Sequence, residues 1–553
     1  MIPFQNVPGF TPRTFFCARI SLLVSVLFVF VLGLAGGCSA HDDRADLTII
    51  NNVNPESLDP AVVTAVEDLR IVMSLFEGLT RTDPVTARAV PGLASHWEIS
   101  ADGLTYTFHL RTNLVWSTGE KLDGRDIFYS WKRILEPETA ADYASQLFYL
   151  VNAEDYNSGK LKNFGQVGVK LLDPYTLEAK LINPASFFLD LCAFQTLAAV
   201  PRFQIEKYQD KWLGARPLAV SGAYTLKDWS LNRRVRLERN RAYWDDANTS
   251  CNTVDFLPIG TPSTALNLYE LGSADVIWDK ELIPVELMKK LKQRDDFHTF
   301  SYLGTYFLRI NVTRPPYDNP RVRMALALSL NRTSIVSRIF LAGEKVANHM
   351  VPDGTANSVK ASGLDYNPVL AKKLLAEAGY PGGQNFPVLQ FLFDSTAGGA
   401  SKVNSKIAVE LQDNWRRELG IKVELRQMEK SVYLSAQNHL DYDLSRSSWI
   451  GDYNDPNTFL DLFRSNNGNN RTGWKESKYD MLMDKANQEP NVERRAGLLR
   501  EAEEFLVKEG VPVIPLYFYS GVVLYRTNEI SGIYPNLLDL HPLNAIHIKR
   551  KDR

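Results

Sequence analysis

Asp443-Leu444-Ser445-Arg446-Ser447-Ser448-Trp449-Ile450-Gly451-Asp452-Tyr453-Asn454-Asp455-Pro456 sets a cation, an aromatic and an acid close together, ahead of an Asn-Asp-Pro turn signal. These are the groups that hold a short, doubly charged, extended molecule. What the stretch means depends on the chain around it.

At 553 residues the chain exceeds what a single core supports, so two or three lobes are expected. With 45% hydrophobic and 23% charged residues it has the composition of a folded soluble protein. The net charge is −2. That near balance gives no electrostatic reason for a nucleic-acid partner.

Arg13 and Arg19 precede an apolar run, Ile20 to Ala35, which stops at Gly36-Gly37-Cys38. A basic flank, a short apolar segment and small residues read as an export signal over 1–37, the alternative being a retained spanning helix. Leu34-Ala35-Gly36-Gly37-Cys38 resembles a bacterial lipoprotein signal, in which the cysteine is acylated and becomes the first residue. Several acyl chains hold a protein firmly where one holds it marginally. Residues 38–46 are then a tether. Of the remaining cysteines, Cys17 leaves with the signal, and Cys192 and Cys251 are expected as buried free thiols, with pairing in an oxidising envelope as the alternative.

Beyond the signal no apolar run is long enough to span a membrane. Leu47 to Ile50 reads as a strand, and Leu69, Val72, Met73 and Phe76 place a helix around Val66 to Leu79. Leu104 to Leu110 alternates with period two after the Asp102-Gly103 turn, a hairpin strand. Asp126 to Leu135 reads as a helix. Asn319-Pro320 and Asn367-Pro368 each pair a cap with a first-turn proline, predicting helices to about Leu330 and to Gly379. A helix over Ile407 to Leu419, a strand over Ile421 to Leu425 and an apolar return at 511–518 complete a mixed α/β pattern.

Enzyme signatures are missing. The eight histidines are scattered, and there is no His-Glu-x-x-His, Cys-x-x-Cys, Gly-x-Ser-x-Gly, Ser-x-x-Lys or phosphate-cradling glycine loop. No metal and no cofactor is expected. A carboxylate dyad of the glycosidase kind stays open, since acids occur throughout.

Several segments in order resemble the oligopeptide- and dipeptide-binding proteins of ABC importers, family 5 of the extracellular solute-binding proteins. They are Leu75 to Leu79, Gly92 to Glu98, Asp102 to Arg111, Val115 to Glu120, Ser221 to Tyr224, Glu238 to Trp244, Tyr317 to Arg323 and Ser329 to Arg332. Each is weak alone; the ordered set over 47–525 is specific. Most read structurally: Trp97 and Trp116 as packing, Gly103 and Gly222 as turns needing positive φ.

The resemblance implies an α/β, two-lobed, periplasmic-binding-protein-like clamp (type II, peptide-binding class) with an additional N-terminal subdomain. Lobe I is expected from 47–81, 214–304 and 521–553, the subdomain from 82–213 and lobe II from 305–520, with hinge crossings near 304 and 520. It also implies no catalysis, short peptides as ligand, and hand-over to ABC permease subunits in the inner membrane. The protein would be a monomer in the periplasm or cell envelope, anchored to membrane through lipid on Cys38.

Within the matched Asp-Tyr-Asn-x-Pro segment, Asp452 corresponds to the acid that takes the ligand's α-amino group, and Tyr453 belongs to the same match. Arg446 corresponds to a family arginine able to meet a peptide carboxylate, the alternative being a lobe salt bridge. Trp449 corresponds to a tryptophan lining the site, the alternative being a core aromatic. Glu67 or Asp68 is the candidate second acid at the ammonium. Some relatives carry a cysteine beside the tryptophan; Ile450 stands there, so that disulfide is absent. Other readings are a non-peptide or murein cargo (nickel chelate, haem, murein peptide, oligosaccharide), an envelope sensor or chaperone-like protein, or an envelope hydrolase.

Overall fold

A computed structural model describes residues 44–339, 342–395 and 399–549. Cys38, the export signal and most of the tether lie outside the described residues.

Within the unit Asp46–Arg553, eleven strands counted among the described residues form one mixed sheet. In chain order they are β1 (Leu47–Ile50), β2 (Tyr224–Ser230), β3 (Arg234–Arg239), β4 (Thr253–Leu257), β5 (Val276–Ile277) and β6 (Phe297–Ile310). There follow β7 (Lys345–Val346), β8 (Leu389–Ser395), β9 (Val423–Glu429), β10 (Leu444–Ile450) and β11 (Val513–Tyr525). Across the sheet the order is β9-β8-β10-β6-β11-β5-β1-β4-β3-β2, and β7 pairs with β11.

Each half of the sheet contains parallel pairs: β1 with β4 and β5, and β8 with β9 and β10. Parallel strands are covered on both faces, which is why β1 is buried at every position. The halves are joined by β6 and β11, antiparallel strands of 14 and 13 residues. Their register is interrupted between Ser301↔Ser520 and Thr305↔Phe518. Separate apolar clusters lie on either side of this break, one containing Leu47, Val254 and Val276, the other Leu326, Phe391 and Trp415.

A third cluster belongs to a four-stranded antiparallel sheet made of Ala94–Ile99, Thr105–Leu110, Thr176–Lys180 and Val169–Asp173. The helix Gly124–Leu135 packs on it through Ile127, Trp131 and Leu135. Asp123 and Asp126 close a reciprocal capping box at its start.

The motif from Tyr317 to Arg332 earns its regularity through buried guanidinium groups. Asn319 caps the helix Pro320–Leu328 by accepting from the Arg321 N–H at 3.0 Å. Arg323 donates to Gly510 O and to Tyr317 O at 2.9 and 2.8 Å, and Arg332 to Pro515 O at 2.7 Å. Both are buried among carbonyls, and burial pulls each guanidinium down to about 10. They fasten this helical region to the start of β11.

Some boundaries differ from the sequence pattern for tertiary reasons. The first helix ends at Leu75 rather than Leu79. Gly222 N donates to Leu75 O at 2.8 Å and Ser221 Oγ accepts from Glu77 N at 3.0 Å, so after Leu75 the backbone leaves the helix to pair with the Ser221-Gly222 segment. The apolar return extends to Tyr525 because β6 supplies a partner along its whole length. Gly103 has φ +70° as the turn requires. Gly222 does not have positive φ; it is glycine because a Cβ there would lie 2.5 Å from Ser74 O and 2.7 Å from the Leu75 carbonyl carbon. Gly222→Ala should therefore lower the unfolding free energy by about 1–3 kcal/mol, whereas Gly214→Ala, with nothing within 4 Å of the new atom, should not. Urea unfolding of the two variants checks this, and equal midpoints would contradict it.

Candidate functional site

Strand alternation divides the opening stretch. Arg446, Ser448 and Ile450 point to one face of β10 and line a cavity of about 440 Å³. Trp449 points to the other face and lines a second cavity of about 730 Å³. After β10 the chain turns at Gly451, whose N–H donates to Leu303 O at 2.8 Å and whose missing Cβ would fall 2.6 Å from Leu303 Cδ2. That turn delivers Asp452 to the larger cavity, with its N–H on Thr458 Oγ1 at 3.2 Å.

Asp452 is half-buried, with Gln146 bonding to its carboxyl group. Burial pushes it up to about 6. Among the described residues no Lys or Arg forms an ion pair with it. Asp142, Glu154 and Asp461 line the same cavity. Arg464, the cation lining it, is held by Asp461 at 3.9 Å and, more closely, by Asp484. Acids outnumber cations on this wall, which suits an ammonium ion.

Tyr453 is turned away from solvent, 5% exposed, and joins the apolar cluster of the four-stranded sheet. Its ring stacks on Phe187 with centroids 4.3 Å apart, and its hydroxyl meets that of Tyr149 at 3.0 Å. Asp455 lies beneath, fully buried and bidentate with Arg495 at 2.8 and 2.9 Å. Asn357 donates to it at 3.1 Å. Sequence reading missed this pair. The acid of the Asn-Asp-Pro turn was its one available signal, since Arg495 lies 40 residues away.

Ile450 and Gly304 stand directly opposite in the β10–β6 ladder. A Cβ on Gly304 would lie 2.5 Å from Ile450 Cδ1, so the isoleucine occupies the room the glycine leaves. Trp449 is half-buried, its indole N–H reaching Thr458 Oγ1 at 3.5 Å. The Arg446 guanidinium lies 3.3 Å from Asp394 and over the Tyr306 ring at 5.3 Å.

The two acids on the first helix do not meet Asp452. Glu67 accepts from Asn52 Nδ2 at 3.2 Å and lines the smaller cavity with Arg446. Asp68 is buried against the backbone N–H groups of Glu56 and Ser57, and burial raises it to about 6. One residue along a helix turns a side chain by about 100°, which separates the two. Arg70, one turn on, also lines the smaller cavity and is ion-paired with Asp279 at 2.7 Å. Among the described residues no three His, Cys, Asp or Glu cluster as metal ligands. Cys192 is a buried free thiol, and the buried Cys251 Sγ donates to Ile546 O at 3.7 Å.

The family model for bacterial extracellular solute-binding proteins, family 5 Middle, matches residues 88–471. The chain is 34% identical over 494 residues to the periplasmic oligopeptide-binding protein OppA of Salmonella typhimurium, covering 88% of this chain and 89% of that protein. A Borrelia burgdorferi periplasmic oligopeptide-binding protein has a similar structure, with TM-score 0.76 and 34% identity over 91% of this chain and 99% of that one. Haemophilus influenzae OppA in complex with RPPGFSPFR matches with TM-score 0.74 and 30% identity, over 92% and 99%.

An acid raised by burial is a cost to the fold. The carboxylate form of Asp452 is penalised once the pH exceeds the ordinary value of 3.8, and the penalty is complete above about 6. Asp452→Asn should raise the unfolding free energy of the ligand-free protein by about 1–3 kcal/mol at pH 7.5. At pH 3.5 it should leave that energy nearly unchanged. Chemical denaturation at the two pH values checks this; a gain of equal size at both would contradict it.

Proposed function

The chain belongs to family 5 of the bacterial extracellular solute-binding proteins, and from that membership we propose that it captures short peptides and passes them to the permease of an ABC transporter. It binds and releases; it does not catalyse. The observation that carries this reading is the Asp452 carboxyl group, half-buried, without an ion-paired cation among the described residues, on a wall rich in acids. A group kept at such cost in the fold is the complement of a ligand's ammonium.

In this reading the ligand lies extended along the end of β10, where main-chain bonds of the added-strand kind fix its backbone without regard to sequence. Asp452 takes the amino terminus, Trp449 flanks it, and Arg446 attends the carboxylate end. Tyr453 and Asp455 hold the turn that presents Asp452. Glu67 stands on the facing wall of the Arg446 cavity. Residues 47–81, 214–304 and 521–553 make lobe I, 305–520 lobe II and 82–213 the additional subdomain. The interrupted register of β6 and β11 is the hinge, and a ligand touching both lobes shifts the population towards closure. Acylation of Cys38 anchors the mature protein to membrane.

Asp452→Ala should weaken tri- to pentapeptide binding by about 2–5 kcal/mol, the cost of leaving a buried partner charge unpaired. Calorimetry giving unchanged affinity would refute the assignment. In the wild type the ligand selects the carboxylate. Below pH of about 6 affinity should fall roughly tenfold per pH unit, and this slope should vanish in Asp452→Asn.

A further inference from the structure

Buried donors without acceptors gather around the smaller cavity. Among the described residues Arg70 Nε and Nη1, Trp278 Nε1 and Ser520 Oγ make no hydrogen bond, and all four atoms belong to residues lining this one space; Arg446, whose Nε lies 3.3 Å from Asp394 Oδ1, lines it as well. Arg70 is 7% exposed, Trp278 2% and Ser520 5%. A buried polar group left unpaired costs on the order of 1–3 kcal/mol, so such a gathering marks a place for an acceptor. Among the described residues the larger cavity has no comparable set of donors.

The two guanidinium groups reach the cavity from different parts of the sheet. Arg70 comes from the helix Val66–Leu75, beside the β1 half; Arg446 comes from β10 in the other half. Arg70 spends only Nη2 on Asp279, at 2.7 Å, with Asp539 3.9 Å away. Its remaining donors are held over the Trp278 ring, 5.5 Å from the centroid. Glu67, Asp279, Glu281 and Asp539 also line the cavity, with Lys280. They oppose a doubly charged group such as phosphate and leave a single carboxylate, planar and matched to the guanidinium fork.

We propose that Arg70 is a specificity-determining residue, and that together with Arg446 it binds a carboxylate of the ligand in this cavity. The proposal rests on the peptide-capture reading for the identity of that ligand. The carboxylate is either the peptide's C-terminus or an acidic side chain next to it. Asp452 and the two arginines then give the binding region opposite polarity at its two ends. The ligand closes the cavity by bridging Arg70 to Arg446.

The test is calorimetry at pH 7.5 on the purified protein with trialanine, trialaninamide and the amide of Ala-Glu-Ala. Trialanine binding at least tenfold more tightly than trialaninamide assigns the cavity to the C-terminus. The glutamyl amide outbinding trialaninamide by that factor assigns it to a side chain. In either case Arg70→Gln should reduce the gain at least tenfold, while N-acetylation of the peptide still abolishes binding through Asp452. Because Arg70→Gln strands Asp279, Arg70→Gln/Asp279→Asn is measured beside it and should behave alike. A carboxylate gain preserved in the double variant, or no gain in the wild type, overturns the proposal. Failure of every peptide to bind the wild type defeats the capture reading instead, and glutarate then decides: saturable binding lost in the double variant supports the carboxylate site, and no binding overturns it.

Discussion

Backbone pairing of β6 with β11 carries the sheet from one half to the other, from Phe297↔Leu524 to Arg309↔Val513. These are the longest strands among the described residues, and the parallel pairs of each half are built outward from them. The ladder is interrupted between Ser301 and Thr305 and shifts again between Tyr306 and Phe307, and each half keeps its own apolar cluster. The same break sets Leu303 beside Gly451, and hence the turn that presents Asp452. A slip of one residue in this pairing would exchange the faces of β10's neighbours and move Arg446 out of its cavity.

Charge is distributed accordingly. One wall gathers acids around a carboxyl group that burial pushes up to about 6; the other gathers buried donors that have no acceptor among the described residues. Such an arrangement is unfavourable in the empty protein, and in the proposed reading a ligand carrying opposite charges at a distance offsets it. Elsewhere in the scaffold, buried charges find partners. Asp455 with Arg495, and Arg323 and Arg332 among their carbonyls, leave little freedom in the scaffold.

Much of this was legible in the sequence. Leu47 to Ile50 and the capped helices after Asn319 and Asn367 follow from periodicity and capping, which are local. The ordered motifs pointed to the family. What sequence could not supply was long-range. Alternation along β10 separates Arg446 from Trp449, although three residues apart they looked like neighbours. Helical rotation sends Asp68 inward and Glu67 to the other cavity, so neither stands at Asp452. Arg70 drew no notice because nothing in a helical arginine's neighbours shows that its donors will be buried and unspent. Gly222 looked like a turn, and its actual reason, the approach of the Ser74 and Leu75 carbonyls, is invisible without the fold.

The central claim is that this protein carries peptides by their charged ends. Mass spectrometry of the molecules released when the protein is isolated from its own envelope and denatured tests it most directly. The account predicts a population of short peptides with free amino termini, varied in sequence. Recovery of a single non-peptide compound, or of amino-blocked molecules alone, would contradict it.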